Sequence, residues 1–358
     1  MNILEPFKDI ALEKQISEIL SYRTIVLWGA ARGGRKAVEL LKSKLGQQEI
    51  CFIDRDPLKV GVDYCGYHVY SADILTTFNE NDTIVVITCA DCVTVEKRIR
   101  QSFNGRIIVF DVAWEEDCPF GVYYQNHKTE YKNTYDLFHD DFSKWVFESV
   151  INYRMSHQTK WLEPIISNGF DEYFGDPVDL KQVEYYLDGG AYDGDSIKWF
   201  MERKGDNFFH VYAFEPNTAN LSRLTRKYKD DDRVSIYPYA LNDSEENLRF
   251  DTSFYNGASS GFVSDKGDVV IKGVAIDDLL KNNRIDLIKL DIEGSEAKAL
   301  EGARRTITTQ HPKLAICVYH RRSDFYEIPA MIKKMNPNYK LYLRHYSPTS
   351  FESVVYAL

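Results

Sequence analysis

This 358-residue sequence predicts an α/β protein with two doubly wound domains of the Rossmann type, joined by an aromatic-rich helical segment. Three observations carry that expectation. Twice, at residues 24–42 and 183–200, a short β-branched or aromatic strand runs into a glycine-rich turn and then a helical pattern. After each such corner, further apolar runs of strand length alternate with helical spacings. The length exceeds that of an ordinary single domain, and a hydrophobic content of 44% can supply two cores. The expected organisation is a first domain over residues 1–115, a connecting segment over 116–182 and a second domain over 183–358.

Composition narrows the function classes. A formal net charge of −10 argues against non-specific nucleic-acid binding, which needs a basic surface. The longest apolar runs, such as Ile84-Val85-Val86-Ile87, have strand length, so no membrane insertion is expected. The N-terminal residues carry no charged region followed by an apolar run, and the six cysteines follow no disulfide pattern; together they suggest a reducing, cytoplasmic setting. Cys89-Ala90-Asp91-Cys92 has no partner pair at zinc-site spacing and reads as ordinary thiols at a strand end. The oligomeric state is not encoded in any motif, and a homodimer stays open.

In the first domain, Thr24-Ile25-Val26-Leu27-Trp28 is a strand leading into Gly29-Ala30-Ala31-Arg32-Gly33-Gly34. This is the dinucleotide fingerprint with alanine at the middle glycine position. The next strand, 49–53, ends in Asp54, about 20 residues downstream, where a ribose-binding acid belongs. Gly29, Ala31, Gly34 and Asp54 are therefore candidate nucleotide-binding residues, against the plainer reading of tight strand–helix packing. Strands at 83–88 and 106–110 extend the sheet. The runs Phe52-Ile53-Asp54-Arg55-Asp56-Pro57 and Gly66-Tyr67-His68-Val69-Tyr70 resemble the small N-terminal domain of PglD-like sugar acyltransferases, and also the N-terminal half of two-domain methyltransferases of polysaccharide biosynthesis. That resemblance implies nucleotide-sugar binding.

Between the domains, Leu137, Phe138, Phe142, Trp145, Val146, Val150 and Tyr153 recur at helical spacing. Core packing is the expected role of that stripe, with a sugar-stacking cleft as the alternative.

The second domain opens with Val183-Glu184-Tyr185-Tyr186-Leu187-Asp188 and the turn Gly189-Gly190-Ala191-Tyr192-Asp193-Gly194. Glycines there let a ligand approach the backbone, and the helix start offers unpaired N–H groups. Strand 210–214 ends in Glu215-Pro216-Asn217, about 25 residues past Gly190, at the spacing of an acid that accepts ribose hydroxyls. Strand 234–238 leads to Ala240-Leu241 and a polar turn. Strand 285–290 ends in Asp291-Ile292-Glu293-Gly294-Ser295-Glu296, and strand 314–319 ends at His320. Residues 339–344 and 353–357 form an antiparallel pair.

These motifs, taken together with Leu300-Glu301-Gly302-Ala303, resemble the FkbM family of S-adenosylmethionine-dependent methyltransferases. The resemblance implies a class I methyltransferase fold closed by a terminal antiparallel hairpin. It implies that Asp188, Gly190, Asp193 and Gly194 surround the methionine part of the cofactor, that Glu215 holds the ribose, and that Ala240 and Leu241 lie near the adenine. Gly189, Ala191, Tyr192, Pro216, Asn217 and Asp291 complete the candidate cofactor-binding set. Tyr192 departs from the asparagine that many members carry.

Methyl transfer to a hydroxyl needs a proton acceptor or a metal-polarised oxygen. Candidates at strand ends are Asp291, Glu293 and His320, with Asp291 near cofactor and acceptor and Glu293 or His320 as base. Glu296 is expected to cap or pair instead. A divalent metal is an open addition to S-adenosylmethionine, with its ligands unassigned. The small-residue loop 255–261 is a candidate acceptor lid. The leading expectation is O-methylation of a hydroxyl on a sugar, nucleotide sugar or glycan. The alternatives are a nicotinamide-dependent sugar-nucleotide oxidoreductase using the first glycine turn, and a non-catalytic sugar-nucleotide-binding module.

Overall fold

Residues 83–87 and 287–290 are buried along their whole length. Strands of that kind need cover on both faces, which parallel sheets with crossover helices supply. The computed structural model describes residues 1, 3, 12–111, 118–251, 262–263 and 267–358, and it contains two such sheets. The loop 255–261, Trp114 and most of the first eleven residues lie outside the described residues.

The chain forms two units. One comprises residues 1–129, 145–166 and 347–351, the other residues 130–144, 167–346 and 352–358. Among the described residues the first holds six strands: β1 (Thr24–Trp28), β2 (Glu49–Ile53), β3 (Asp63–Tyr64), β4 (Tyr67–Tyr70), β5 (Thr83–Ile87) and β6 (Arg106–Val109). Their order is β3-β4-β2-β1-β5-β6, parallel apart from the β3–β4 pair. The helix Arg32–Lys42 buries Gly34, Ala37, Val38 and Leu41, one face at i, i+3, i+4, i+7.

The second unit contains β7 (Tyr185–Gly189), β8 (His210–Phe214), β9 (Val234–Tyr237), β10 (Ala240–Leu241), β11 (Glu246–Asp251), β12 (Phe262–Val263), β13 (Val269–Val274), β14 (Leu287–Leu290), β15 (Lys313–Cys317), β16 (Leu341–His345) and β17 (Ser353–Ala357). Seven of them form the sheet β16-β17-β15-β14-β7-β8-β9. From β9 to β15 the neighbours are parallel, and β17 runs antiparallel to both β15 and β16, the terminal hairpin the sequence predicts. The chain travels from β7 outward to β9 and returns to β14, so strand order reverses between β7 and β14. In such sheets ligands bind at that crevice.

Two features differ from the sequence reading. The strands β10, β11, β12 and β13 build a second sheet, in the order β10-β13-β11-β12, where the sequence suggests polar turn residues after Leu241. Alternation in β11 turns Leu248 and Phe250 inward, where they pack with Ala240 and Ile271 as a small core. In the middle segment, Phe138, Val146, Val150 and Tyr153 are buried, but Trp145 is 44% exposed. Phe147 and Ile151 are buried too, so this helix is covered on more than one face and a single stripe misplaces Trp145. No helix among the described residues is long and apolar enough to cross a membrane.

Candidate active site

At the switch point, β7 and β14 lie side by side with Asp188 opposite Lys289 and Gly189 opposite Leu290. Their ends press together so closely that a Cβ on Gly190 would sit 1.9 Å from the Asp291 carbonyl oxygen. Gly190 also has a left-handed backbone, φ +77°. Gly190→Ala should therefore force the strand ends apart. We expect a clear fall in melting temperature together with loss of ligand binding at this crevice, and a wild-type melt would contradict the close approach.

A cavity of about 310 Å³ opens there. Of the residues expected from the sequence, Gly190, Tyr192, Glu215, Pro216, Ala240, Leu241, Asp291 and Glu293 line it. They come from the ends of three parallel strands and from the short β10, so one crevice collects segments about a hundred residues apart in sequence.

Glu215 follows β8 and is only 5% exposed. Its Oε2 accepts from the Tyr192 N–H at 2.9 Å, and its Oε1 accepts from the Asn217 N–H at 2.8 Å and from Asn220 Nδ2 at 3.4 Å. Burial pushes its carboxyl up to about 7, against the pull of these donors. A carboxylate has about four lone-pair positions, and the Asn220 contact at 3.4 Å is long, so one position is open and a second is weakly held, room for a ligand's hydroxyls. Asn217 caps the helix Thr218–Tyr228, accepting from the N–H groups of Ala219 and Asn220.

Asp188 stands behind the cavity, fully buried. Its Oδ1 lies 3.1 Å from Lys289 Nζ, and Ser196 Oγ donates to Oδ2. Lys289 Nζ also donates to the carbonyls of Gly189 (3.2 Å) and Gly190 (2.8 Å). Burial raises the Asp188 carboxyl and by itself would lower the Lys289 ammonium, yet Asp188 and Asp291 hold that ammonium above its usual range. With three oxygen partners within 3.2 Å, the ammonium decides the outcome and the pair is ionised. This pair ties the glycine turn to β14.

The far end of the cavity is acidic. Asp291 accepts from Tyr319 Oη at 2.9 Å and from Tyr173 Oη at 3.1 Å. His320 reaches three carboxylates: Nδ1 is 3.0 Å from Glu296 Oε1, and Nε2 is 3.4 Å from Asp291 Oδ1 and 3.7 Å from Glu293 Oε2. Burial alone would lower the imidazole, but Glu296, Asp291 and Glu293 outweigh it and push it up to about 10. His320 is thus charged at neutral pH. Glu296, fully buried, also accepts from the Ile292 N–H at 2.8 Å, so it holds the loop that precedes its helix.

Lys289, Glu172, Tyr173 and Glu352 also line the cavity, and the sequence reading gave none of them a role. Burial raises the carboxyls of both Glu172 and Glu352, and the charge of Asp291 adds to the effect on each. Lys289 carried a usable signal, a charge inside a buried strand. Gly189, Ala191 and Gly194 shape the turn from behind. A Cβ on Gly194, φ +83°, would come within 2.3 Å of the Tyr228 ring, and Ala191 is fully buried. Asp193 and Asn217 are not among the lining residues.

The first unit repeats the plan at its own reversal between β1 and β5. Gly29 has φ +117°, and a Cβ on Gly34 would meet the Gly29 carbonyl at 2.2 Å, a packing role. Asp54 accepts from the Ala30 N–H (2.8 Å), the Asp56 N–H (2.9 Å) and Lys59 Nζ (3.2 Å). Burial would raise its carboxyl, but these donors hold it below the usual range. Ala31, exposed, precedes the helix without capping it by a side chain.

Two glycine turns of one plan need an outside comparison to tell them apart. Residues 188–341 match the methyltransferase FkbM domain. The FkbM match takes in the glycine turn, Glu215, Asp291 and His320, and leaves Glu172, Tyr173 and Glu352 outside its limits. A stretch of 100 residues is 31% identical to the hexuronic acid methyltransferase AglP of Haloferax volcanii. It covers 26% of this chain and 41% of that relative, so the chain spans about two fifths of the relative's length. The crystal structure of methyltransferase FkbM from Methylobacillus flagellatus KT covers 99% of this chain and 95% of its own, with a TM-score of 0.76 at 21% identity, a likeness of fold. Residues 188–341 of the second unit thus match a methyltransferase domain of FkbM type.

Proposed function

We propose that the cavity binds S-adenosylmethionine and that the protein O-methylates a hydroxyl of a sugar, nucleotide sugar or glycan. The placement of Glu215 carries this reading: a buried carboxylate at the end of β8, across from a glycine turn that admits a ligand to the backbone. In this reading Glu215 holds the ribose hydroxyls. Phe214, Tyr239, Ala240 and Leu241 flank the adenine, and the Gly190 turn meets the methionine part. The acceptor lies toward Asp291. The hexuronic acid named for the Haloferax volcanii relative supports a sugar as acceptor.

Transfer is an in-line displacement. The acceptor oxygen attacks the methyl carbon, the carbon–sulfur bond breaks, and its electron pair stays on sulfur, leaving S-adenosylhomocysteine. Positioning supplies much of the acceleration. The hydroxyl proton must go to a base. His320 already holds its proton, so it serves as counter-charge, and Asp291 is held below the usual carboxylate range, with Lys289 and His320 outweighing its burial. Glu352, facing the same cavity with a raised carboxyl, suits the task better.

Purified protein should bind S-adenosylhomocysteine in calorimetry with micromolar-range affinity, and no detectable heat would overturn the reading. Glu352→Gln should lower kcat by about 100-fold, the scale of general-base catalysis, with cofactor affinity unchanged. A kcat near wild type would return the proton to Glu293.

A further inference from the structure

The two nitrogens of His320 serve different neighbours. Nδ1 is met by Glu296 Oε1 at 3.0 Å, from a side chain with no solvent exposure. Nε2 turns toward Asp291 Oδ1 at 3.4 Å and Glu293 Oε2 at 3.7 Å, both of which line the cavity. Those two separations are long for hydrogen bonds. Bonds of about 2.1 Å in octahedral or tetrahedral geometry leave neighbouring ligands about 3.0–3.5 Å apart, a range that holds the Asp291 separation and ends just short of the Glu293 one.

We propose that Asp291, Glu293 and His320, the ion displacing the Nε2 proton of the imidazole, hold a divalent metal ion at the acceptor end of the cavity, with Glu296 on the Nδ1 side. A carboxylate on the far nitrogen of a metal-bound histidine is the usual support, fixing tautomer and ring direction. Asp291 is supported in the same way by Tyr319 Oη and Tyr173 Oη. The second oxygen of Glu296, Oε2, is buried and has no hydrogen-bond partner among the described residues. The nearby ammonium of Lys289 is committed to Asp188 and to two carbonyls. Asp291 and His320 belong to a three-donor group whose third member is Glu296, all within 4.8 Å of one another, and Glu293 approaches the same imidazole from the cavity side at 3.7 Å. Two carboxylates and one imidazole favour a borderline ion such as manganese(II) over calcium. Because Asp291 and Glu293 face the cavity, the remaining ligand positions open toward the acceptor, where an ion makes a hydroxyl more acidic. The purpose assigned to the ion rests on the methyltransferase reading; its binding does not.

The test is manganese(II) titration of the full-length chain, followed by electron paramagnetic resonance of the unbound ion, with and without S-adenosylhomocysteine. We expect one ion per chain. Asp291→Asn and His320→Ala should weaken it by at least about tenfold, as loss of metal-site groups does, and the half-exposed Glu293→Gln supplies the same readout should either deeper variant fail to fold. Glu215→Ala should keep the ion while losing S-adenosylhomocysteine. No binding by the wild type, or wild-type binding by all three site variants, overturns the proposal. Cofactor binding without manganese refutes only the ion site. Manganese binding without cofactor refutes only the methyltransferase reading.

Discussion

Glu215→Ala should all but abolish binding of S-adenosylhomocysteine. Two hydroxyl donors on a buried carboxylate are charge-assisted bonds, and losing them weakens binding by about 100-fold or more. The same change withdraws the acceptor that holds the Tyr192 N–H, so the turn loosens as well. Glu215→Gln keeps the shape and one acceptor oxygen and should fall between the two. The wild type should show a matching pH dependence. Burial brings the Glu215 carboxyl to about 7, and ribose hydroxyls donate to the ionised form, so ligand and proton compete. Affinity should be greatest above pH 7 and fall as pH drops, by up to about tenfold per unit. Calorimetry from pH 5 to 8 checks both. A flat profile, or a Glu215→Ala variant that binds like wild type, would remove the ribose from Glu215.

The other large effect should come from Lys289→Met. Lys289 is 3% exposed and Asp188 fully buried, so truncating the lysine leaves a carboxylate with no counter-ion. Breaking a buried pair in this way costs about 3–5 kcal/mol. Whole domains are stable by only about 5–15 kcal/mol, so the variant should unfold far earlier in denaturant or fail to accumulate as soluble protein. Changing both partners, Lys289→Met with Asp188→Leu, should recover part of the loss, because no charge is then stranded. Chemical denaturation of the single and double variants decides this. A single variant with a wild-type midpoint would show that the pair is not a structural tie.

Much of this was legible in the sequence because it is carried by local patterns. β-branched strands, glycine turns and an acid at a set distance after each turn gave both sheets, the crevice and Glu215. What escaped has physical reasons. Glu172 follows the short 3-10 turn Gly169–Asp171, and Glu352 lies just before β17 with a left-handed backbone, φ +62°. Neither sits in a periodic element or a spaced motif, and each reaches the cavity only through tertiary folding. Asp188 is the opposite case. Its position in the motif was plain, but its side chain points into the protein, toward Lys289 and Ser196. A motif names the backbone corner well and says little about which way each side chain turns.

The order β16-β17-β15 also bears on how the second unit assembles. β17, which follows both of its partners in the chain, does not join an edge; it fills a slot between β15 and β16, pairing with both. Until residues 353–357 leave the ribosome, β15 presents an open apolar flank, a hazard of the kind that recruits chaperones. Glu352, adjoining that strand, comes into place only when the slot closes, so the acidic end of the cavity should be completed only once β17 has docked.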